Sequence, residues 1–388
     1  MVVIAIAMLG LLALAGLALD IGRLVGDKSR LQAAVDAASL SAAKVLDTTS
    51  SQAAATAAAN NTFGNNIALQ GMGDLSNAPG NIVVQYSNTL QPFIAGTNPP
   101  LYAQVTATGF SVPATLSTVL GFNIFPLTAS AIAGPSATLT NACNLAPMMV
   151  CGTPGAPQNG YTTGQITALQ LWNGTLPAAA GVGYFLQQSS GAYSQNQDYA
   201  GAFSQCSTIG NNDQGQTGTA PATIAGGLDS RFNGNPYPPD AVTTQPAPAS
   251  PERLQCSGTP VCATVTDGAG DAGSGATYPF SYENMYLPAV QSGNYTNPPA
   301  PGGNGVVDRR VLAVPVVDCA TAAPGTSRLP VIGLACMFML QDVDATTGQV
   351  FSEVVNSCEV NGNPGPVPNN GPGPYTIQLY HIPGSDQS

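Results

Sequence analysis

The hydrophobic positions of this chain begin with one long uninterrupted run. Residues 1–19 read MVVIAIAMLGLLALAGLAL and contain no charged, amide or hydroxyl side chain. A helix rises about 1.5 Å per residue, so a run of this length crosses a hydrocarbon layer of about 30 Å. The run therefore predicts a single transmembrane helix at residues 1–19.

Apolar side chains continue beyond this run with helical spacing. They recur three or four positions apart at Ile21, Leu24, Leu31, Val35, Ala38, Ala42 and Val45. The alanine-rich residues 48–60 extend the pattern until Asn and Gly, which end helices, take over. We therefore expect the helix to leave the membrane unbroken and to continue as a long amphipathic rod over residues 20–60.

Residues 61–135 carry a mixed pattern. Strands are predicted at residues 82–86, 102–107 and 125–133, and a short helix at 114–120 follows Pro113, a residue suited to a first helical turn. These elements predict a small α+β unit that packs its sheet on the emerging helix.

Residues 136–388 consist of short apolar runs separated by Gly, Pro, Asn and Ser. The whole chain holds 44 Gly and 33 Pro, and this part contains every one of its 8 Cys. Short strands between turn-rich connections are typical of a mainly β domain. The fold class predicted for the chain is α+β, with a disulfide-stapled, mainly β ectodomain at its C-terminal end.

The cysteines favour an oxidising compartment. Their even number and their restriction to one region favour disulfides, whose candidates are Cys143, Cys151, Cys206, Cys256, Cys262, Cys319, Cys336 and Cys358. Zinc is disfavoured because no C-x2-C pair is present and the only histidine is His381. Short loops at Cys143–Cys151 and Cys256–Cys262 are the expected pairings, although eight cysteines leave the connectivity open.

The charge distribution excludes one class of partner. The net charge is −11, and residues 48–388 contain no Lys. Nucleic acids require basic surface, so nucleic-acid binding is not expected.

Two interpretations of the apolar run stay open, an uncleaved anchor and a cleaved signal peptide. Ala13 and Ala15 flank Leu14 in a small-x-small pattern that suits signal cleavage, but the apolar run continues past it. The nearest basic residues follow the run, which by charge alone favours the opposite orientation, and we expect a basic stretch upstream of residue 1. We favour the anchor, in a bacterial inner membrane, with the C-terminal part in the periplasm.

The residues after the run resemble a known family. Asp20, Arg23 and the string LQAAVDAASLSAA at 31–43 are similar to the N-terminal segment of TadE/TadG-like Flp pilus-assembly proteins. The matching positions of this motif are Asp20, Arg23, Leu31, Gln32, Asp36 and Leu40. Residues 101–134 also resemble TadG-like proteins. The resemblance implies a membrane component of a tight-adherence pilus or secretion system, whose partners are inner-membrane lipid and other pilus-assembly or pilin-like proteins.

A stripe of small residues lies at the predicted membrane boundary. Ala18, Gly22 and Gly26 are spaced four apart and form a candidate face for close helix packing. The alternative is that alanine and glycine are simply common in this chain.

No arrangement of residues predicts catalysis. His381 could act as a general base only beside a nucleophile, and the sequence contains no G-x-S-x-G motif. We therefore expect no enzymatic activity, cofactor or small-molecule substrate. The string DVDATTG at 342–348, followed by Glu353, suits a calcium loop less well than a hairpin turn, and no metal site is expected. The hypotheses that remain are a pilus-assembly component and, as the alternative, a secreted or surface adhesin or binding module released by signal cleavage.

Overall fold

The computed structural model divides the chain into two compact units, residues 1–135 with the end of the chain from Ile377, and residues 136–376. The structure describes the following residues: 2–69, 75, 80–121, 123–171, 182–186, 192–216, 219–257, 262, 264–268, 273–299, 302–320, 322, 327–363 and 372–381. The side chains of residues 2–7, 9, 12, 13, 119, 120, 171, 182, 184, 185, 192, 202 and 327 lie outside that description.

The first unit is a helical pair on an antiparallel sheet. Its helices are α1 (Val2–Thr49) and α2 (Gln52–Ile67), and one 3-10 turn covers Ser117–Leu120. The strands are β1 (Asn81–Ser87), β2 (Tyr102–Pro113), β3 (Ile124–Pro135) and β18 (Ile377–Tyr380), and they lie side by side in that order. The strands predicted from residues 82–133 are all present in this sheet.

The core of the first unit lies where α1 crosses the sheet. Ala34, Ala38 and Ala42 are fully or almost fully buried there, together with Leu31 and Val35. Small side chains let the helix backbone come close to β2 and β3. The helical spacing found in the sequence therefore marks the face that meets the sheet.

The predicted unbroken rod over residues 20–60 differs from the structure, which contains two helices. The first helix stops at Thr49, because Ser50 adopts a left-handed conformation with φ 51°. Ser51 then caps the second helix by accepting a hydrogen bond from the Ala54 amide. The hydroxyl of Thr62 donates to that of Ser41 at 2.9 Å, so α2 folds back along α1.

The strand β18 belongs to the first unit, although the sequence pattern assigned it to the ectodomain. It pairs with β3 in antiparallel register, Ile377 opposite Pro135 and Tyr380 opposite Ile132. The ring of Tyr380 meets that of Tyr102 edge-on at 5.8 Å. A pairing between segments more than 240 residues apart leaves no local signal in the sequence.

Within the part of the chain that the structure describes, no helix is both apolar enough and long enough to cross a membrane.

The second unit is mainly β, as predicted. Its strands are β4 (Asn141–Cys143), β5 (Met148–Gly152), β6 (Ile166–Leu171), β7 (Val182–Leu186), β8 (Cys206–Thr208), β9 (Asn212–Gln216), β10 (Gln255–Ser257), β11 (Thr264–Thr266), β12 (Val311–Asp318), β13 (Ser327–Met339), β14 (Val350–Val355), β15 (Ser357–Glu359), β16 (Asn361–Gly362) and β17 (Gly373–Tyr375). Its short helical segments are Pro157–Gly160, Ala192–Gln197, Asp198–Ala202, Pro221–Leu228, Ser230–Asn233, Tyr282–Tyr286 and Leu287–Ser292.

Seven of these strands form one mixed sheet in the order β12-β5-β7-β6-β14-β13-β9. Since β12 also pairs with β13, six of the strands close into a ring. Closure leaves these six strands without a free edge. Both faces are buried: Val314 and Met337 belong to one apolar cluster, and Ala313 and Phe338 to the cluster on the opposite face.

Candidate assembly site on the N-terminal helix

The side chain of Asp20 joins α1 to the turn between β2 and β3. Its Oδ2 accepts hydrogen bonds from the Ser117 amide at 2.8 Å, the Ser117 hydroxyl at 2.6 Å and the Thr115 amide at 3.1 Å. Its Oδ1 accepts a further bond from the Thr115 hydroxyl. Asp20 is only 4% exposed and Ser117 is fully buried. One motif residue therefore ties the helix to a turn almost one hundred positions away.

These hydrogen bonds favour the charged form of Asp20. The bond from the Ser117 hydroxyl has the largest effect, followed by that from Thr115, and together they hold the pKa of Asp20 well below its usual value. A carboxylate that accepts several hydrogen bonds is solvated by the protein instead of by water. Asp20 consequently stays ionised at every physiological pH.

The other motif residues dock the same helix on the sheet. The Gln32 amide donates to Ser130 O at 3.0 Å and to Asp36 Oδ1 at 2.7 Å. Leu31 is fully buried, and Leu40 packs against the same core. Arg23 is half-buried. The motif therefore encodes the contact between the helix and its own sheet.

Ser39 adds a polar contact between α1 and the sheet. Its hydroxyl donates to Ala103 O at 3.0 Å and lies 3.4 Å from Ala131 O, so it reaches the backbone of both central strands. The side chain is completely buried. The small serine side chain lets the helix approach the sheet closely and adds a hydrogen bond to it.

The N-terminal part of α1 presents apolar side chains to the outside. The residues concerned are exposed by 46–68%, namely Met8, Leu11, Leu14, Leu19, Ile21 and Val25. A Cβ atom added at Gly22 or Gly26 would meet no atom within 4 Å. Ala18 is exposed as well. The small stripe is thus open to the outside, and its use as a packing face stays a prediction.

Replacing Asp20 by alanine is expected to loosen the turn at residues 115–117 and to lower the melting temperature of the first unit. The reason is that the Ser117 amide and hydroxyl lose the Asp20 carboxylate as their acceptor inside a buried site. Hydrogen exchange at the Ser117 amide measures the effect. The matched control is Asp36→Ala on the same helix, where the carboxylate accepts from Gln32 one turn away and is half-buried. Equal exchange at Ser117 in both variants would contradict the assignment.

Four disulfides connect the cysteines of the second unit. They join Cys143 to Cys206, Cys151 to Cys319, Cys256 to Cys262 and Cys336 to Cys358. The expected Cys256–Cys262 loop is present, whereas the expected Cys143–Cys151 loop is wrong. The reason is that Cys143 lies directly opposite Cys206 in the β4–β8 ladder, while Cys151 lies beside β12, next to Cys319.

A buried charged cluster in the second unit was not predicted. Arg310 is fully buried, and its guanidinium lies 4.4 Å from the centre of the Phe338 ring and 4.7 Å from that of Phe232. Asp240, also fully buried, accepts from the Arg310 amide at 2.7 Å and from the Tyr286 hydroxyl at 2.9 Å. The only signal in the sequence is a pair of arginines at the start of an apolar run, which suits an exposed strand end equally well.

The charge of Asp229, a carboxylate of this unit, depends on pH near neutrality. Burial raises its pKa to about 7, against the opposing effect of the Val343 amide, which donates to its Oδ1 at 2.8 Å. The negative charge of Asp342 also raises this pKa, whereas the positive charges of Arg253 and Arg231 lower it.

The free energy of unfolding is expected to fall as the pH rises from about 4 to about 7. Over this range the folded Asp229 keeps a proton that the unfolded chain has lost, so each pH unit removes up to about 1.4 kcal/mol. Asp240 and Glu353, whose pKa values burial also raises, contribute with the same sign. Asp229→Asn should make the slope shallower, as measured by urea unfolding at several pH values.

Asp20→Asn is the control for this pH dependence. The pKa of Asp20 is lowered, so its contribution is complete above the unfolded pKa of about 4 and disappears only as the pH falls below it. The variant should change the stability without changing the slope between pH 5 and pH 7. An unchanged slope in Asp229→Asn would show that Asp229 is ionised in the folded protein.

The string at 342–348 is a turn between the antiparallel strands β13 and β14, which is the interpretation favoured from the sequence. Asp344 Oδ1 accepts from the Thr346 amide at 2.8 Å, and the Gly348 amide donates to Asp344 O at 2.6 Å. The carboxylate of Glu353 is buried elsewhere and accepts from the Tyr282 amide at 2.7 Å. Among the described residues, no group of His, Cys, Asp and Glu side chains is placed to hold a metal ion.

A polar cleft of about 590 Å³ lies beside this turn. Its lining includes Arg253, Gln255, Gln341, Asp344 and Gln349. Arg253 is already paired with Asp342 at 2.5 Å, and Gln341 both donates to and accepts from the Leu254 backbone. His381 lies in the other unit, exposed after β18. The described lining residues include no histidine, and the one lining cysteine, Cys256, is paired with Cys262.

The helix, its buried aspartate and its small, sheet-facing side chains define an α+β unit built around an N-terminal helix. Residues 1–45 match the sequence model of the family described as putative Flp pilus-assembly TadE/G-like. The chain matches no curated protein and no solved structure.

Proposed function

We propose that this chain is a non-enzymatic, membrane-anchored component of a Flp/Tad-type pilus assembly or secretion system. The observation that carries the proposal is the family match at residues 1–45. The match ends within α1, the helix whose buried motif residues pack against the sheet. The charge-free residues 1–19 support an anchor in the inner membrane.

The four disulfides support an ectodomain in the periplasm. Disulfides form and persist in oxidising compartments, and the bacterial periplasm is one of them. The ectodomain serves protein–protein contacts in the proposal, since its acidic, lysine-free surface disfavours nucleic acid. The partners are other pilus-assembly or pilin-like proteins and the membrane lipid around α1.

The open stripe of small residues is the proposed contact for those proteins. Gly22→Leu should reduce co-purification of pilus-assembly proteins with the tagged full chain, because a leucine there blocks close helix approach. The fold should be unaffected, since a Cβ at Gly22 meets nothing within 4 Å. Gly64→Leu is the matched control, a helical glycine of α2 that is equally open. If both variants recover the same amount of pilus-assembly protein, the stripe is not the contact.

The anchor is tested by its extraction behaviour. The full-length chain should stay with membranes during an alkaline carbonate wash, and protease added to spheroplasts should digest the ectodomain. Release into the wash, with a mature N-terminus at Gly16, would instead establish the secreted binding module. Purification of the wild-type chain from its own cells without any pilus-assembly protein would count against the assembly role.

A further inference from the structure

The turn between β2 and β3 lies at the same level along α1 as the end of the predicted anchor. A Cβ atom at Gly16 would lie 2.8 Å from Leu116 Cβ and 3.7 Å from Leu116 Cδ1. Gly16 precedes Asp20 by one helical turn, which is about 6 Å along the helix. Leu116 therefore lies on the N-terminal side of Asp20, level with residues of the apolar run.

Two apolar side chains at this end of the hairpin point outward. Leu116 is 50% exposed and Ile124 is 63% exposed. Ile124 lies opposite Pro113 at the last pair of the β2–β3 ladder. On the helix, Leu19 is 66% exposed and Ile21 is 46% exposed, one on each side in sequence of Asp20, which binds the turn. Apolar surface thus continues from the helix onto the end of the hairpin.

The bonding of Asp20 fits this location. A carboxylate at the edge of a hydrocarbon layer is unfavourable unless other groups solvate it. The turn supplies four donors from Thr115 and Ser117 and covers Asp20 to 4% exposure. The hairpin strands and their turn also contain no charged residue, which removes the main barrier to lipid contact. Charged residues are absent from all of residues 75–197, so their absence does not distinguish the hairpin from its neighbours. The main evidence for lipid contact is therefore the position of Leu116.

We propose that the end of the β2–β3 hairpin, with Leu116 and Ile124, is a second membrane contact that dips into the lipid surface beside α1. The inference rests on the proposed anchor, because residues 1–19 set the depth of Gly16 and hence of Leu116. It adds that the first unit touches the bilayer at two places. When the hairpin end is embedded in lipid beside the point where α1 leaves the membrane, the helix cannot rotate or tilt freely relative to its sheet.

The test labels single cysteines with an environment-sensitive fluorophore in the full-length chain. All eight native cysteines are paired, so one introduced cysteine can be labelled alone. The variants are Leu116→Cys and Ile124→Cys at the hairpin, Leu14→Cys in the anchor, and Ile94→Cys as the control. Ile94 belongs to the same unit and has the same 50% exposure as Leu116. Each variant is reconstituted in vesicles of phosphatidylcholine and phosphatidylglycerol with or without bromine-labelled acyl chains.

Labels at positions 116, 124 and 14 should lose most of their emission to brominated lipid, while the label at 94 should be quenched by aqueous iodide. If positions 116 and 124 behave like 94 while 14 responds to lipid, the hairpin contact is wrong and the anchor stands. If position 14 also responds only to iodide, both the proposed anchor and the hairpin contact are wrong. Two hairpin positions are used so that a folding defect in one variant leaves the other to decide.

Discussion

Replacing Arg310 by methionine is expected to lower the free energy of unfolding of the second unit by about 3–5 kcal/mol. The guanidinium donates to four backbone carbonyls from two segments of the chain: Met339 and Leu340 at 2.6 and 3.1 Å, and Val242 and Thr244 at 3.0 and 2.9 Å. Methionine fills much of the volume but donates no hydrogen bond, so these carbonyls lose their donor in a buried site.

The remaining charge adds to the effect. Asp240 is fully buried, and the positive charge of Arg310 opposes the rise that burial causes in its pKa. Removing Arg310 takes away one of the charges that stabilise that carboxylate, which is unfavourable in a protein interior. Lysine is not expected to rescue the variant, because an ammonium group cannot lie flat between Phe232 and Phe338 or donate in the fork geometry of guanidinium.

Native-state hydrogen exchange at β12 and β13 measures this loss in the second unit alone. Arg328→Met is the matched control, since Arg328 is exposed in β13 and its loss should change stability by less than about 0.5 kcal/mol. Combining Arg310→Met with Asp240→Asn should cost less than the sum of the two single changes. If the losses of stability from Arg310→Met and Asp240→Asn simply add, the two residues are not coupled. If Arg310→Met and Arg328→Met cause similar losses, the structural role of Arg310 is contradicted.

Local patterns predicted three strands and the buried helix face of the first unit, but neither the helix break at Ser50 nor strand β18. The spacing of Leu31, Val35, Ala38 and Ala42 identified the buried face of α1, and alternation identified the strands of the hairpin. Asp20 was singled out through the family motif, but its partners were not. Thr115 and Ser117 are about 95 positions away, and a contact over that distance leaves no periodicity at either end.

The second unit shows the same limit more clearly. Turn-rich connections and apolar runs indicate a β domain, and the cysteine count indicates disulfides. The closed ring depends on β12 meeting both β5 and β13, which composition does not encode. A pair of arginines beside an apolar run is typical of a strand end, so Arg310 could not be recognised as buried. Its role depends on carbonyls contributed by residues 242–244 and 339–340.

Removing the Cys151–Cys319 disulfide is expected to destabilise the second unit more than removing any other. A disulfide restricts the unfolded chain, and the restriction grows with the number of residues between the cysteines. This bridge spans 168 residues, whereas Cys256–Cys262 spans 6. Loop-closure entropy predicts about 5 kcal/mol for the long loop and about 2 kcal/mol for the short one.

The position of the long bridge in the sheet adds a native-state reason. Cys151 is the middle residue of the short parallel pairing of β5 with β12, and Cys319 directly follows β12. Only three residue pairs join these strands, so the covalent bond secures a contact on which closure of the ring depends. Both cysteines are 4% exposed. Alanine is the appropriate replacement, since it introduces no polar group into a buried site.

The measurement compares two paired variants, Cys151→Ala with Cys319→Ala and Cys256→Ala with Cys262→Ala, by reversible urea unfolding. Each pair deletes the same two sulfur atoms, so the difference isolates loop length and location. The two intermediate bridges, spanning 63 and 22 residues, should fall between these extremes in that order. Equal losses in the first two variants would show that the unfolded chain is already compact around the long loop, and the ring would then close without covalent help.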